Sequence, residues 1–181
     1  MFLPFAVDLT ADSISNSFKL LRHLRKHEVM RIIKTWTNAW ATSSRFHEAR
    51  VLPCLFGCPE GTDRLDHYVM CPNLYAIQIT LSCFPVPDSP MERLGLIHTN
   101  HFILLLVACT FAGYHAIRRS DFIASCDATP LDIEQQLHAA NLFADAFRAE
   151  AAEIHFPFRA GSLERSQRDS NPFCTVRRAP A

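Results

Sequence analysis

Apolar residues recur at helical spacing over most of this chain. Phe18, Leu21 and Leu24 lie three residues apart and predict a first helix over residues 12–26. A second stripe has the i, i+3, i+4, i+7 spacing of one buried helical face and comprises Val29, Ile32, Ile33, Trp36, Ala39 and Trp40. The periodicity leaves open whether residues 12–42 form one helix or two.

Prolines and glycines separate the later segments. They predict turns over residues 51–62, followed by a short helix that carries "RLDHYVMC" and a further helix in "NLYAIQITLSCF". Pro90 suits the first turn of a short helix in "MERLGLI", and a long apolar helix is predicted from Thr99 to Arg119. The longest uncharged apolar run, residues 102–114, is shorter than the roughly 20 residues of a bilayer span, so we expect a buried helix.

The last predicted helix begins with Thr129 as its cap and Pro130 in its first turn. Its predicted buried stripe comprises Ile133, Leu137, Ala140 and Phe147. No alternating strand pattern of any length occurs. We therefore predict a mainly α fold, an irregular helical domain, and we expect the polar tail over residues 156–181 to be disordered.

The composition of the 181 residues fits an intracellular protein with no membrane segment. The N-terminus has no basic region before its apolar residues, which is unlike a secretory signal. Seven cysteines are an odd number, which disfavours a fully paired disulfide framework. We expect a reducing compartment, nuclear or cytoplasmic, where clustered cysteines more often bind metal than form disulfides.

Three cysteines and one histidine fall within residues 54–71: Cys54, Cys58, His67 and Cys71. Zinc prefers four ligands in a tetrahedron, and thiolates with a neutral imidazole satisfy it. Cys54 and Cys58 flank a turn at Gly57, whereas His67 and Cys71 have the i, i+4 spacing of one helical face. The alternative is that the cysteines are small buried hydrophobes and His67 a core histidine.

Four protein ligands would leave zinc no open position, so the predicted site is structural rather than hydrolytic. Three carboxylates lie close by in the sequence, at Glu60, Asp63 and Asp66. They could orient His67, but the simpler interpretation is that they solvate the loop. No nucleophile elbow or glycine-rich phosphate loop occurs, and we expect neither an enzyme nor a small-molecule substrate.

Residues 30–76 resemble the zinc-binding region near the C-terminus of non-LTR retrotransposon reverse transcriptases. The resemblance is carried by Trp36 and Arg45, the cysteine pair, Leu65 with His67, and Cys71 followed by Pro72. It implies a zinc-binding element that contacts RNA or DNA, with the rest of a reverse transcriptase polyprotein as a further partner. The paired aspartates of a polymerase core are missing, since "FADAF" has Ala146 in place of the second.

Formal net charge is zero, but residues 14–50 carry eight Lys or Arg against two acids. This asymmetry indicates either a surface for an anionic partner or a solvated helix face. The candidate nucleic-acid-binding residues are Lys19, Arg22, Arg25, Lys26, Arg31, Lys34, Arg45 and Arg50. Trp36 and Trp40 could stack on unpaired bases, although their helical spacing favours core packing.

Together these patterns divide the chain into five segments. They are an N-terminal extension (1–11), a basic helical segment (12–50), a Cys-Cys-His-Cys zinc knuckle (51–76), a helical domain (77–155) and a tail (156–181). The leading hypothesis is a non-catalytic module in which structural zinc pins a turn to a helix and basic helices contact nucleic acid. The alternative is a helical structural or protein-interaction domain that zinc stabilises.

Overall fold

A computed structural model describes residues 10–126 and 131–157 of the chain. The fold of this part is helical, as predicted, and its named elements are all helices. They are α1 (Ala11–Leu21), α2 (Lys26–Trp36), α3 (Leu65–Met70), α4 (Pro72–Leu81), α5 (Pro90–Arg93), α6 (His101–Arg119), α7 (Phe122–Ser125) and α8 (Ile133–Glu153). The short helix α7 was missed by the sequence interpretation.

The basic segment contains two helices, and the second is shorter than its apolar stripe predicts. The backbone N–H of Arg25 donates to the Glu28 carboxylate at 2.6 Å, which caps the start of α2. Asn38 adopts φ 53°, and the amide of Ala39 donates to the Lys34 carbonyl at 2.6 Å. This left-handed termination ends α2 at Trp36, so extending its stripe to Trp40 was wrong.

Helix α6 is the centre of the core and packs against α2 on one side and α8 on the other. By length and composition α6 could cross a membrane, but 67% of its apolar window is buried inside the protein. The burial is that of a core helix. Trp40 lies against Tyr114 of α6 with ring centroids 4.5 Å apart, and its Nε1 donates to Thr35. Trp40 is therefore a buried core residue, as its helical spacing indicated.

The final helix differs from its prediction at both ends. The N-cap is Asp132, whose side chain accepts from the Gln135 amide at 2.8 Å, whereas Thr129 lies outside the described residues. Ile133 precedes the buried face and is 81% exposed, so its assignment to the core stripe was wrong. At the other end Phe156 is buried against Phe147, so ordered packing extends one residue into the predicted tail.

The N-terminal extension and the tail lie largely outside the described residues, which begin at Thr10 and end at Pro157. In the described part of the chain, α1 begins at Ala11, one residue earlier than predicted. Thr10 caps it by accepting from the Ser13 amide at 3.1 Å, in place of the predicted caps Asp12 or Ser13.

His115 of α6 lies among aromatic rings and cations. Its ring centroid is 4.0 Å from that of Phe111, and its Nε2 is buried with no hydrogen-bond partner within the described part of the chain. Burial, and next the charges of Arg119 and Lys34, lower the pKa of His115 to about 4. The fold therefore holds this imidazole neutral.

Acid is expected to destabilise the protein partly through His115. Because the unfolded chain binds this proton near pH 6.5 and the folded chain only near pH 4, stability from the neutral ring is lost as pH falls between those values. With partial exposure allowed for, the loss is about 2 kcal/mol. Urea unfolding at pH 7 and pH 4.5 should show a smaller pH effect in His115→Phe than in the wild type, and an equal effect would contradict the assignment.

Candidate metal centre

The four predicted ligands converge on one point. One side-chain ligand atom from each of Cys54, Cys58, His67 and Cys71 lies within 4.8 Å of the other three. The Cys71 sulfur is 3.8 Å from that of Cys54 and 3.4 Å from that of Cys58. The three cysteines are buried and unoxidised, so the cluster is a Cys3His set that could hold a metal ion.

A closed loop over residues 52–63 positions the first two cysteines. Pro53 and Thr62 form an antiparallel bridge, and the Cys54 amide donates to the Gly61 carbonyl at 2.8 Å. Gly57 adopts φ 81°, and a Cβ there would overlap the side chain of Gln136 on α8. The turn between the two sulfurs therefore needs glycine for its backbone angle, whereas the flexible Gln136 side chain could move aside.

His67 lies on α3 and faces this loop. A Cβ at Gly61 would overlap the His67 ring, so the loop leaves room for the imidazole only because residue 61 is glycine. The Nε2 atom of His67 is buried and has no hydrogen-bond partner among the described residues. A buried imidazole nitrogen without a partner, beside three sulfurs, is the donor arrangement that a metal ion requires.

Cys71 lies at the junction of two helices rather than on one helix with His67. Its ψ of 116° ends α3 at Met70, because the following Pro72 disfavours helical backbone at the residue before it. Pro72 then opens α4, whose cap is the Cys71 sulfur, accepting from the Leu74 amide at 3.3 Å. The expectation of one helical face for the pair was therefore wrong in detail, although both side chains reach the cluster.

Two cysteine thiols of the cluster shift in pKa in opposite directions: hydrogen bonding with Cys54 and next with Cys58 strongly raises the pKa of Cys71. The nearby sulfurs of Cys54 and then Cys58 raise the pKa of His67 to about 10. Hydrogen bonding with Cys54 and next with Cys71 strongly lowers the pKa of the Cys58 thiol. The Phe56 amide donates to the Cys54 sulfur at 3.4 Å. A metal ion bound here replaces protons on these groups, so its affinity falls as pH falls.

Asp63 connects the loop to the core. Its carboxylate is fully buried and accepts from the Ser43 amide at 2.6 Å, from the Tyr68 hydroxyl at 2.8 Å and from the Tyr114 hydroxyl at 2.9 Å. Arg118 lies 3.7 Å away on α6. The interpretation of Asp63 as a solvating loop residue was wrong, since its partners on α6 could not be read from local sequence.

The eight candidate cations do not form one continuous surface. Arg31 pairs with the buried Glu150 of α8, Arg25 lies 3.8 Å from Glu28, and the Arg45 guanidinium lies over the ring of Phe46. Lys26, Arg31 and Lys34 line one groove between α2 and α6, together with Arg119. The remaining candidates are exposed and lie outside this groove lining: Lys19, Arg22 and Arg50.

Comparison of the chain with models of protein families, with curated proteins and with solved structures finds no match.

Proposed function

We propose that Cys54, Cys58, His67 and Cys71 hold one structural zinc ion in a helical module that contacts RNA or DNA. The observation that carries the proposal is the convergence of these four side chains. Two thiolates bound to one zinc ion at tetrahedral angles are about 3.8 Å apart, close to the sulfur separations of 3.8 Å and 3.4 Å in this cluster. Three thiolates with one imidazole suit zinc better than hard cations.

The proposed role of zinc is architectural. Four protein ligands fill a tetrahedral coordination sphere, and catalytic zinc keeps a position for water or substrate. Zinc supplies folding energy when bound, because it joins the loop to the start of α4. We therefore propose a non-catalytic module, in keeping with the accessory region of reverse transcriptases that residues 30–76 resemble.

The contact with nucleic acid is proposed from the cations of α1 and α2. Lys19, Arg22, Lys26 and Lys34 are exposed, and none of them lies within ion-pair distance of a carboxylate in the described ranges. Such residues can replace the counterions of a phosphate backbone with little regard to sequence. The segment they occupy precedes the knuckle directly, as the basic helix does in the resemblance.

A protein-interaction role is the second candidate. Several large apolar side chains are exposed, among them Phe18 on α1, Phe46 in the loop after α2, and Met70 at the end of α3. Scattered apolar residues are ordinary on soluble proteins, so they favour this role only weakly.

Binding to labelled RNA and DNA is expected to weaken steeply with salt. Four or five contacts between cations and the phosphates of a single strand give a slope of about −3 for log affinity against log salt concentration. Fluorescence anisotropy with the zinc-loaded chain measures this slope, with a neutral-backbone analogue of the same sequence as the control probe. If neither single nor double strands bind at low salt, the nucleic-acid role is wrong and the protein-interaction role takes its place.

A further inference from the structure

A groove with basic edges runs between α2 and α6. Its volume is about 510 Å³. The residues that line it come from the exposed face of α2 and from two positions of α6: Lys26, His27, Met30, Arg31, Lys34, Phe111 and Arg119. Arg119 was not among the candidate nucleic-acid-binding residues predicted from the sequence.

Three of the cations in this groove are uncompensated. Among residues 10–126 and 131–157, no carboxylate lies within ion-pair distance of Lys26, Lys34 or Arg119. Arg31 is different, because it pairs with Glu150. His27 also lies 3.8 Å from Glu150 and 3.7 Å from Glu153, but neither acid is among the residues that line the groove.

The floor of the groove is apolar. Met30 is 46% exposed, and the Phe111 ring lies beneath the Lys34 ammonium, which is 5.9 Å from the ring centroid. An inorganic anion would bind to the cations and would gain nothing from the apolar side chains of Met30 and Phe111. The combination suits a ligand that has both phosphates and a planar, weakly polar body.

We propose that this groove binds an unpaired nucleic acid strand, with its phosphates on Lys26, Lys34 and Arg119 and a base packed on Met30. The inference rests on the proposed function and specifies the form of nucleic acid. Bases in a duplex are stacked and paired, so they cannot reach a concave floor, whereas the bases of a single strand are free to pack against side chains. The duplex would gain only the phosphate contacts.

A comparison of two variants tests where the strand binds. The groove variant is Lys34→Gln with Arg119→Gln, and the control is Arg64→Gln, which changes an exposed arginine that pairs with Asp66 and lies outside the groove and the basic segment. With a short labelled single strand and the zinc-loaded full chain, the groove variant should bind about tenfold more weakly. Its salt slope should fall by about 1.4, for two lost contacts at about 0.7 each. The control should lose about threefold or less, and the duplex should bind the wild type less tightly than the single strand does.

The failures of the two proposals can be told apart. If the control variant loses binding and the groove variant keeps it, nucleic-acid contact stands and the groove assignment is wrong. Equal affinity of the wild type for duplex and single strand would overturn the preference for unpaired strands. Absence of binding to any nucleic acid would overturn the proposed function itself.

The base contact has its own test, because Met30 carries no charge. Met30→Ser should weaken binding of an ordinary single strand several-fold, because the base loses its apolar contact with the side chain. It should leave binding of an abasic strand unchanged. An equal loss on both strands would contradict the placement of a base on Met30, and unchanged binding of both would do so as well.

Discussion

Replacing Cys58 with serine is expected to release the metal and destabilise the whole chain. Hydroxyl is a poor zinc ligand, and the energy of binding structural zinc is folding energy. The cluster also lies within the core, since Cys54 and Cys71 belong to the same buried group as Phe143 of α8. We expect a loss of at least about 3 kcal/mol in the free energy of unfolding, or about 10 °C in Tm for a chain of this size.

The matched control is Cys83→Ser, because Cys83 is exposed and lies outside the cluster. This variant should unfold within about 1 °C of the wild type, as surface substitutions usually do. A chelator should lower the Tm of the wild type and of the control to the value of Cys58→Ser, while leaving Cys58→Ser itself unchanged. If Cys58→Ser unfolded like the control, the cysteines would be small buried hydrophobes without a metal.

Replacing Asp63 with alanine is expected to have the second largest effect. The substitution leaves the hydroxyls of Tyr68 and Tyr114 and the Ser43 amide without their acceptor inside the core. It also removes the buried carboxylate that faces Arg118. Breaking such a network by removing one partner costs about 3–5 kcal/mol, which urea unfolding would measure as a lower midpoint with an unchanged m-value.

Asp66→Ala is the control for Asp63. Asp66 lies in the same segment and pairs with Arg64 at 2.8 Å on the surface, where an ion pair contributes at most about 1 kcal/mol. Equal destabilisation by the two substitutions would mean that Asp63 does not join the loop to α6. Asp66→Ala should contain as much metal as the wild type, because it removes only a surface ion pair and leaves the four cluster residues in place.

The helices could be predicted where their signals are local. The apolar stripes of α2 and α6, the proline at the start of α4 and the spacing of the four ligands all lie in short stretches of sequence. The end of α2 could not be predicted, because it depends on the left-handed backbone of Asn38. Ile133 repeats the apolar spacing of α8, yet it lies at the first residue of the helix, beyond the neighbours that would cover it.

Interactions between distant residues account for most of what the sequence did not show. Tyr114 is 51 residues from Asp63, and no local pattern connects them. The same holds for Arg31, whose charge is compensated by Glu150 on α8, and for Arg119, which joins Lys34 across the groove only after α2 packs on α6. Local sequence therefore identified the four residues of the Cys3His cluster but could not distinguish cations that pair with a carboxylate from those that do not.

Metal content is the most direct test of the proposed centre. The full chain, purified without chelators or added metal, should contain about one zinc ion per molecule by elemental analysis, as a single four-ligand site requires. His67→Ala should lower that content, because it removes one of the four ligands. A wild-type chain that is stably folded and contains no metal would contradict the account.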